Sequence, residues 1–337
     1  MKNRNTFLLF VFLAFILIIS FLAGIMFGAV KIPFKDVVDT LINTGNGSSD
    51  FSSIIWKIRL PRVFGALICG AGLATAGILL QILFKNPLVD SYILGISSGA
   101  SLAMALLILG GIKFGFEKIS SPIQVGIAFV GAMIVMIVVL LVSNKIQNSL
   151  SLLVIGLMMG YITSAITSSL VAFAEKEALH GYVIWTMGSY SGMSWEKIFV
   201  LLKILSPLIV IVILLAKPLN AFVLGENYAR SMGVNIKRIR GIIILISSLI
   251  TAIITAFTGP ISFIGLAVPH ITRLVFRTSN NRVLIPGVLF LGAIISIFCD
   301  MMSRVLLAPA EIPLSAMTAV IGAPIVIYLI LKRRSLV

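Results

Sequence analysis

Charged residues in this chain gather in short segments between long apolar blocks. A bilayer-spanning helix needs about 20 mostly apolar residues. Blocks of that kind fall at 7–29, 63–83, 93–111, 123–143, 150–174, 198–216, 241–258, 261–276, 284–303 and 313–331. The stretch 241–272 has 32 residues without a charge, so length alone fits one long helix or two short ones. Gly259-Pro260 lies inside it, and proline removes a backbone donor and clashes with the preceding turn. Parity favours the split. Lys2 and Arg4 mark one end of the chain and Lys332, Arg333 and Arg334 the other. Basic flanks favour the cytoplasm, and two cytoplasmic ends require an even number of spans. The pattern therefore predicts an all-α polytopic membrane protein with ten transmembrane helices and both termini cytoplasmic, as a single domain over 1–337.

The first block carries a further expectation. Lys2 and Arg4 ahead of an apolar run resemble the start of a signal peptide, whose apolar core is about 7–15 residues. The uncharged run from Asn5 to Val30 has 26 residues, so a retained first span fits better. Between the blocks, residues 30–58 form a long outer loop with a surface helix suggested by Ile32, Val37, Val38, Leu41 and Ile42. Residues 175–197 form a second outer segment, and 217–240 the long inner one. In this arrangement fifteen of the 26 Lys and Arg face inward with two of the 11 acids, Asp90 and Glu226, giving +13 inside and +2 outside. The inverted topology would reverse that bias.

Composition agrees with the pattern. Of 337 residues 59% are hydrophobic and 11% charged, with a mean hydropathy of +1.15. Soluble domains carry about 25% charged residues. The net charge of +15 does not point to nucleic acid, because the bases sit in short loops rather than along one soluble face. Cys69 and Cys299 lie inside apolar runs, with no CxxC or Cys/His spacing, and read as packing residues.

The chemistry of an enzyme is missing from the sequence. There is no GxxxxGK[ST] loop to cradle a nucleotide and no HExxH. His180 and His270 fall on predicted opposite sides, so no metal or His-based triad is expected, and no cofactor. Secondary transporters usually carry ionisable groups at mid-membrane, whereas the middles of these spans lack Asp and Glu. Asp300 comes closest, with Arg304 four residues on, a spacing at which the two face each other on a helix. Energy for transport would then come from a partner.

Five segments carry a resemblance. They are Ile58-Arg59-Leu60-Pro61-Arg62; Gly77 to Gln81 through Asn86-Pro87-Leu88 to Gly95–Ala100; Leu224-Gly225-Glu226 with Ala229–Val234; Gly259–Leu266 with Pro269-His270; and Glu311-Ile312-Pro313 with Gly322-Ala323-Pro324. In order and spacing they resemble the permease family of ABC importers for ferric siderophores, haem and cobalamin. Ser262 stands where glycine is common in that motif.

The resemblance implies a transport subunit of a bacterial inner membrane, not an enzyme. Two copies, identical or paralogous, would enclose the pathway among membrane lipid. Two ATPase subunits would sit on the cytoplasmic face and an extracytoplasmic substrate-binding protein on the outer one. Leu224, Gly225, Glu226, Ala229, Arg230 and Gly233 correspond to the helix that docks into the ATPase. Glu226 and Arg230 are spaced as an i, i+4 pair, and Gly225 and Gly233 suit breaks at its ends. Arg59 and Arg304 correspond to positions that meet acidic residues of the binding protein. Asn86 and Leu88 are gate candidates or a simple turn. Ser97 and Ser98 are pathway candidates or packing. Gly70, Gly72, Ala74, Ala76 and Gly77 form a small face that lets another helix approach closely. The alternatives are a secondary transporter without an ATPase partner, which needs a coupling carboxylate, and a membrane scaffold or receptor, which would need a signalling domain.

Overall fold

The computed structural model describes residues 2–42, 51–111, 120–146 and 149–334, and among these the regular structure is helical. The middle of the long outer loop, 43–50, lies outside the described residues. The helices are α1 (Lys2–Met26), α2 (Phe34–Ile42), α3 (Ser52–Ile54), α4 (Leu60–Phe84), α5 (Ile96–Gly111), α6 (Ser121–Lys145), α7 (Ser149–Ala172), α8 (Lys176–Thr186), α9 (Trp195–Leu214), α10 (Ala216–Leu224), α11 (Glu226–Ser231), α12 (Ile236–Thr258), α13 (Ile264–Phe276), α14 (Asn281–Val305) and α15 (Leu314–Arg334). A π turn at Ile55–Arg59 joins α3 to α4, so that Ser52–Phe84 runs on as one helix.

Helix covers each of the ten apolar blocks. Seven of these helices are long and apolar enough to cross a membrane, and three shorter apolar ones lie at Ile96–Gly110, Ile264–Phe276 and Leu314–Tyr328. The expected break at Gly259-Pro260 is present: α12 ends at Thr258, and the chain turns through residues 259–263 before α13 begins. The surface helix expected in the outer loop is α2, which buries Val37.

The bundle is built around α4, packed on by α12, α13 and α14. Nearly all of α4 is buried, whereas α1 turns a broad apolar face outward. The exposed side of α1 is Phe7, Leu8, Val11, Phe12, Phe15 and Ile18. Such a face is at home against acyl chains rather than water. The reason α4 can be central is its small face. Gly70 lies against the Gly292 carbonyl and Ser296 of α14, and a Cβ on Gly77 would overlap the main chain of Gly265 in α13. Without a hydrophobic drive between helices in lipid, close backbone approach of this kind is what holds them together.

Candidate functional site

At one end of the bundle α1, α4 and α14 meet, and five charged groups are packed there. Arg62 Nε donates to Asp300 Oδ1 at 2.9 Å, while its Nη1 and Nη2 grip both oxygens of Glu311 at 2.7 and 2.9 Å. Asp300 is also paired by Arg304, whose Nη2 lies 3.0 Å from Oδ2. The hydrogen bond of that amino group, however, goes to the Gly24 carbonyl, and Nη1 donates to Phe27 O, both at 3.0 Å. Arg59 donates to Phe27 O at 2.6 Å and to Val30 O at 2.8 Å. A helix leaves its last carbonyls without intrahelical partners. Two guanidinium forks therefore satisfy the C-terminal end of α1, where cations also suit the helix dipole. Arg59 and Arg304 are only 6% and 4% exposed.

The sequence spacing found the Asp300–Arg304 pair but not Arg62, which bridges Asp300 and Glu311. Arg62 and Glu311 both stand in quoted motifs, yet a contact between residues 62, 300 and 311 has no local signature. The Arg62 hydrogen bond holds the Glu311 carboxyl below the usual carboxylate range. Its lowered folded value means that the stabilisation is present at neutral pH and is lost as pH falls through that value.

At the opposite end the chain leaves α9 through α10, reaches Gly225 at φ 130, forms α11, and turns at Gly233 at φ 80. Positive φ is cheap for glycine and strained for other residues. α11 is short, with Ala229 buried beneath it. Leu224, Tyr228 and Met232 are each about half exposed or more, at 68%, 49% and 61%. These exposed side chains stand on α11 and at its two ends.

The expected Glu226–Arg230 pair is replaced. Glu226 Oε1 accepts from Arg240 Nη2 of α12 at 2.9 Å, and Arg230 is exposed. The buried Arg240 has more to gain from a carboxylate than a hydrated Arg230 does. Arg240 Nη1 also donates to Ile146 O at the end of α6, at 3.3 Å. Asn220 ties the segment to α14. Its Oδ1 accepts from Asn281 N at 2.7 Å, and its Nδ2 donates to Asn280 Oδ1 at 2.8 Å. α11 is thus linked to α12 through Glu226, α12 to the end of α6 through Arg240, and α10 to the start of α14 through Asn220.

The structure separates the remaining candidates. Asn86 Oδ1 accepts from Leu88 N at 2.9 Å, a side-chain turn that leaves Leu88 47% exposed. Ser97 is buried and shares a hydrogen bond with Thr255 of α12 at 3.2 Å, the packing alternative. Ser98 lines a cavity of about 320 Å³ together with Ser101, Ser164, Thr167, Ser168 and Tyr182. That wall of hydroxyls between α5, α7 and α8 carries no formal charge. Asp90, placed in an inner loop by the sequence, is folded back onto the start of α13, close to Gly265.

The chain matches the model of the FecCD transport family over residues 16–332. It is 33% identical to the hemin transport system permease protein HmuU of Yersinia pestis, over 96% of this chain and 95% of that one. It is also 33% identical to the vitamin B12 import system permease protein BtuC of Vibrio cholerae, over 85% of each. A solved inward-facing structure of a metal-chelate type ABC transporter superposes with a TM-score of 0.82 at 29% identity, over 98% of this chain and all of that one.

Proposed function

This chain belongs to the FecCD transport family and is a permease subunit of an ABC importer, and we propose that its cargo is an iron chelate of the ferric siderophore type, haem or a cobalamin. Two copies, identical or paralogous, enclose the pathway, with the hydroxyl wall of α5, α7 and α8 on the route. Ten helices cross the bilayer of a bacterial inner membrane, with both termini cytoplasmic. The observation that carries the ATPase assignment is the surface around α11: Leu224 at the end of α10, Tyr228 on α11 and Met232 just after it are exposed, and the helix is anchored by Glu226. Two ATPase subunits dock there and hydrolyse ATP, while this chain binds no nucleotide. A substrate-binding protein docks at the opposite end. The burial of Arg59 and Arg304 favours a role in holding that surface in shape over touching the partner directly.

The secondary-transporter alternative draws nothing from Asp90. Its Oδ1 accepts from Ser91 N at 2.7 Å and its Oδ2 from Phe263 N at 3.1 Å, which ties it to the main chain of the loop and of the start of α13. Reconstitution decides between them. Vesicles containing the permease, its ATPase and the binding protein are expected to accumulate one of the three cargo classes only with ATP. Accumulation driven by a proton or sodium gradient without the ATPase would refute the proposal.

Orientation has its own measurement. The split of +13 and +2 puts Lys35 outside and Arg238 inside, and both side chains are exposed. A membrane-impermeant thiol reagent should label Lys35→Cys in intact cells, and Arg238→Cys only after permeabilisation. The reverse result would invert the topology.

A further inference from the structure

The chain between α4 and α5, residues 85–95, returns into the bundle instead of running along its end. It is held there by side chains that no part of the transport scheme above uses. Gln81, in the last turn of α4, is 3% exposed. Its Nε2 lies 3.3 Å from each of three carbonyls, Val89 O of the loop and Gly265 O and Leu266 O of α13. Its Oε1 accepts from Arg273 Nη1 at 2.7 Å, which fixes the orientation of the amide. Asp90 bridges the same two elements. One oxygen accepts from Ser91 N and Oγ in the loop, the other from Phe263 N at the start of α13. The Tyr92 hydroxyl accepts from Ile261 N within the break.

The chemistry of this arrangement is directional. α13 begins inside the bundle rather than at its surface, so its N-terminal donors and the positive end of its dipole face protein instead of water. A carboxylate placed on those donors suits them electrostatically and leaves the loop no free lateral movement. Gln81 spans the other side, binding the loop and α13 at once. Packing alone would let the loop slide, whereas hydrogen bonds to main-chain atoms on both elements fix their register.

We propose that Gln81, Asp90 and Tyr92 are positioning residues that clasp the loop to α13, so that the loop bearing Asn86 and Leu88 moves as one body with α13. This rests on the reading of Asn86 and Leu88 as residues of the inner gate. Displacement of α12, to which α11 is joined through Glu226 and Arg240, then passes through the turn at 259–263 to α13 and carries the loop along. The clasp is the step between ATPase docking and the inner mouth.

The test uses Leu88→Cys as a reporter in the assembled complex with ATPase and binding protein. Cys69 and Cys299 are both buried, so with cysteine-free partner subunits the new thiol is the accessible one. In the parent complex the labelling rate should differ about fivefold or more between the nucleotide-free and ATP-bound states. With Asp90→Asn added, the amide opposes the Phe263 N–H in one orientation or the Ser91 N–H in the other. Labelling should then lose most of that nucleotide dependence while ATP hydrolysis stays within about threefold of the parent. Tyr92→Phe, which removes one acceptor and keeps the ring, should act in the same direction more weakly.

Unchanged nucleotide dependence in Asp90→Asn would overturn the clasp. So would loss of the Asp90→Asn complex combined with parent-like labelling in Tyr92→Phe, since the carboxylate would then serve stability alone. Absence of nucleotide dependence in the parent would overturn the gate reading itself, and the clasp with it.

Discussion

Arg304→Glu is expected to yield little or no folded protein. The native guanidinium donates to Gly24 O and Phe27 O and pairs with Asp300. A glutamate there would set its carboxylate against two carbonyls and a second carboxylate, in a site 4% exposed. Removing one partner of a buried ion pair costs about 3–5 kcal/mol, and reversal adds repulsion. Total stabilities of folded domains are about 5–15 kcal/mol, so this single change removes a large share. Arg304→Lys keeps the charge but cannot span both carbonyls with one ammonium, and should fold with a lower melting temperature. The measurements are the size-exclusion profile and the thermal unfolding midpoint in detergent. An Arg304→Glu protein that purifies and melts like the parent would refute the internal role. It would restore Arg304 as a free anchor for a binding protein.

This end of the molecule also marks where sequence reading reaches its range. Helix positions were legible because each apolar block carries its own signal, and the break at Gly259-Pro260 was legible because proline acts on its own turn. The pair of Asp300 with Arg304 was legible because four residues on a helix bring side chains together. The bridge that Arg62 makes from Asp300 to Glu311 was not, because it is set by how α4, α14 and the segment before α15 pack. Arg59 illustrates the other limit. At the start of a span it reads as a surface base, but the π turn at Ile55–Arg59 lies where its side chain meets the end of α1. Asp90 looked like a loop acid because it lies between two apolar blocks, just after the break at Asn86-Pro87. Its bond from Phe263 N follows from the loop folding back onto the start of α13, which no local pattern encodes.

The Glu226–Arg230 spacing misled for a related reason. It identified a real helix, yet the pair that forms is decided by burial. Arg230 keeps its water, whereas Arg240 has an exposed fraction of 8% and has few acceptors besides Glu226 and Ile146 O. An i, i+4 pair on an exposed helix contributes about 0.3–0.5 kcal/mol, too little to compete with the need of a desolvated guanidinium.

That substitution of partners changes what Glu226→Arg should do. Two guanidiniums would face each other where a 2.9 Å pair now joins α11 to α12. The protein should still insert, because α11 lies outside the apolar spans. Breaking a hydrogen-bonded charge pair with one buried partner costs about 2–5 kcal/mol, enough to displace α11 from its anchored position. Uptake in vesicles with ATPase and binding protein should then fall about 100-fold or more, since a factor of ten corresponds to about 1.4 kcal/mol. The exchange Glu226→Arg with Arg240→Glu restores opposite charges across the same contact. It should recover a substantial part of the uptake, though not all, because Ile146 O would lose its donor. Arg230→Glu, at the exposed position, should leave the anchoring intact and act only through the partner surface. The double-mutant cycle over positions 226 and 240, read as uptake and as ATPase co-purification, isolates the pairwise contribution. If the exchange is no better than Glu226→Arg alone, the anchoring of α11 does not run through Arg240.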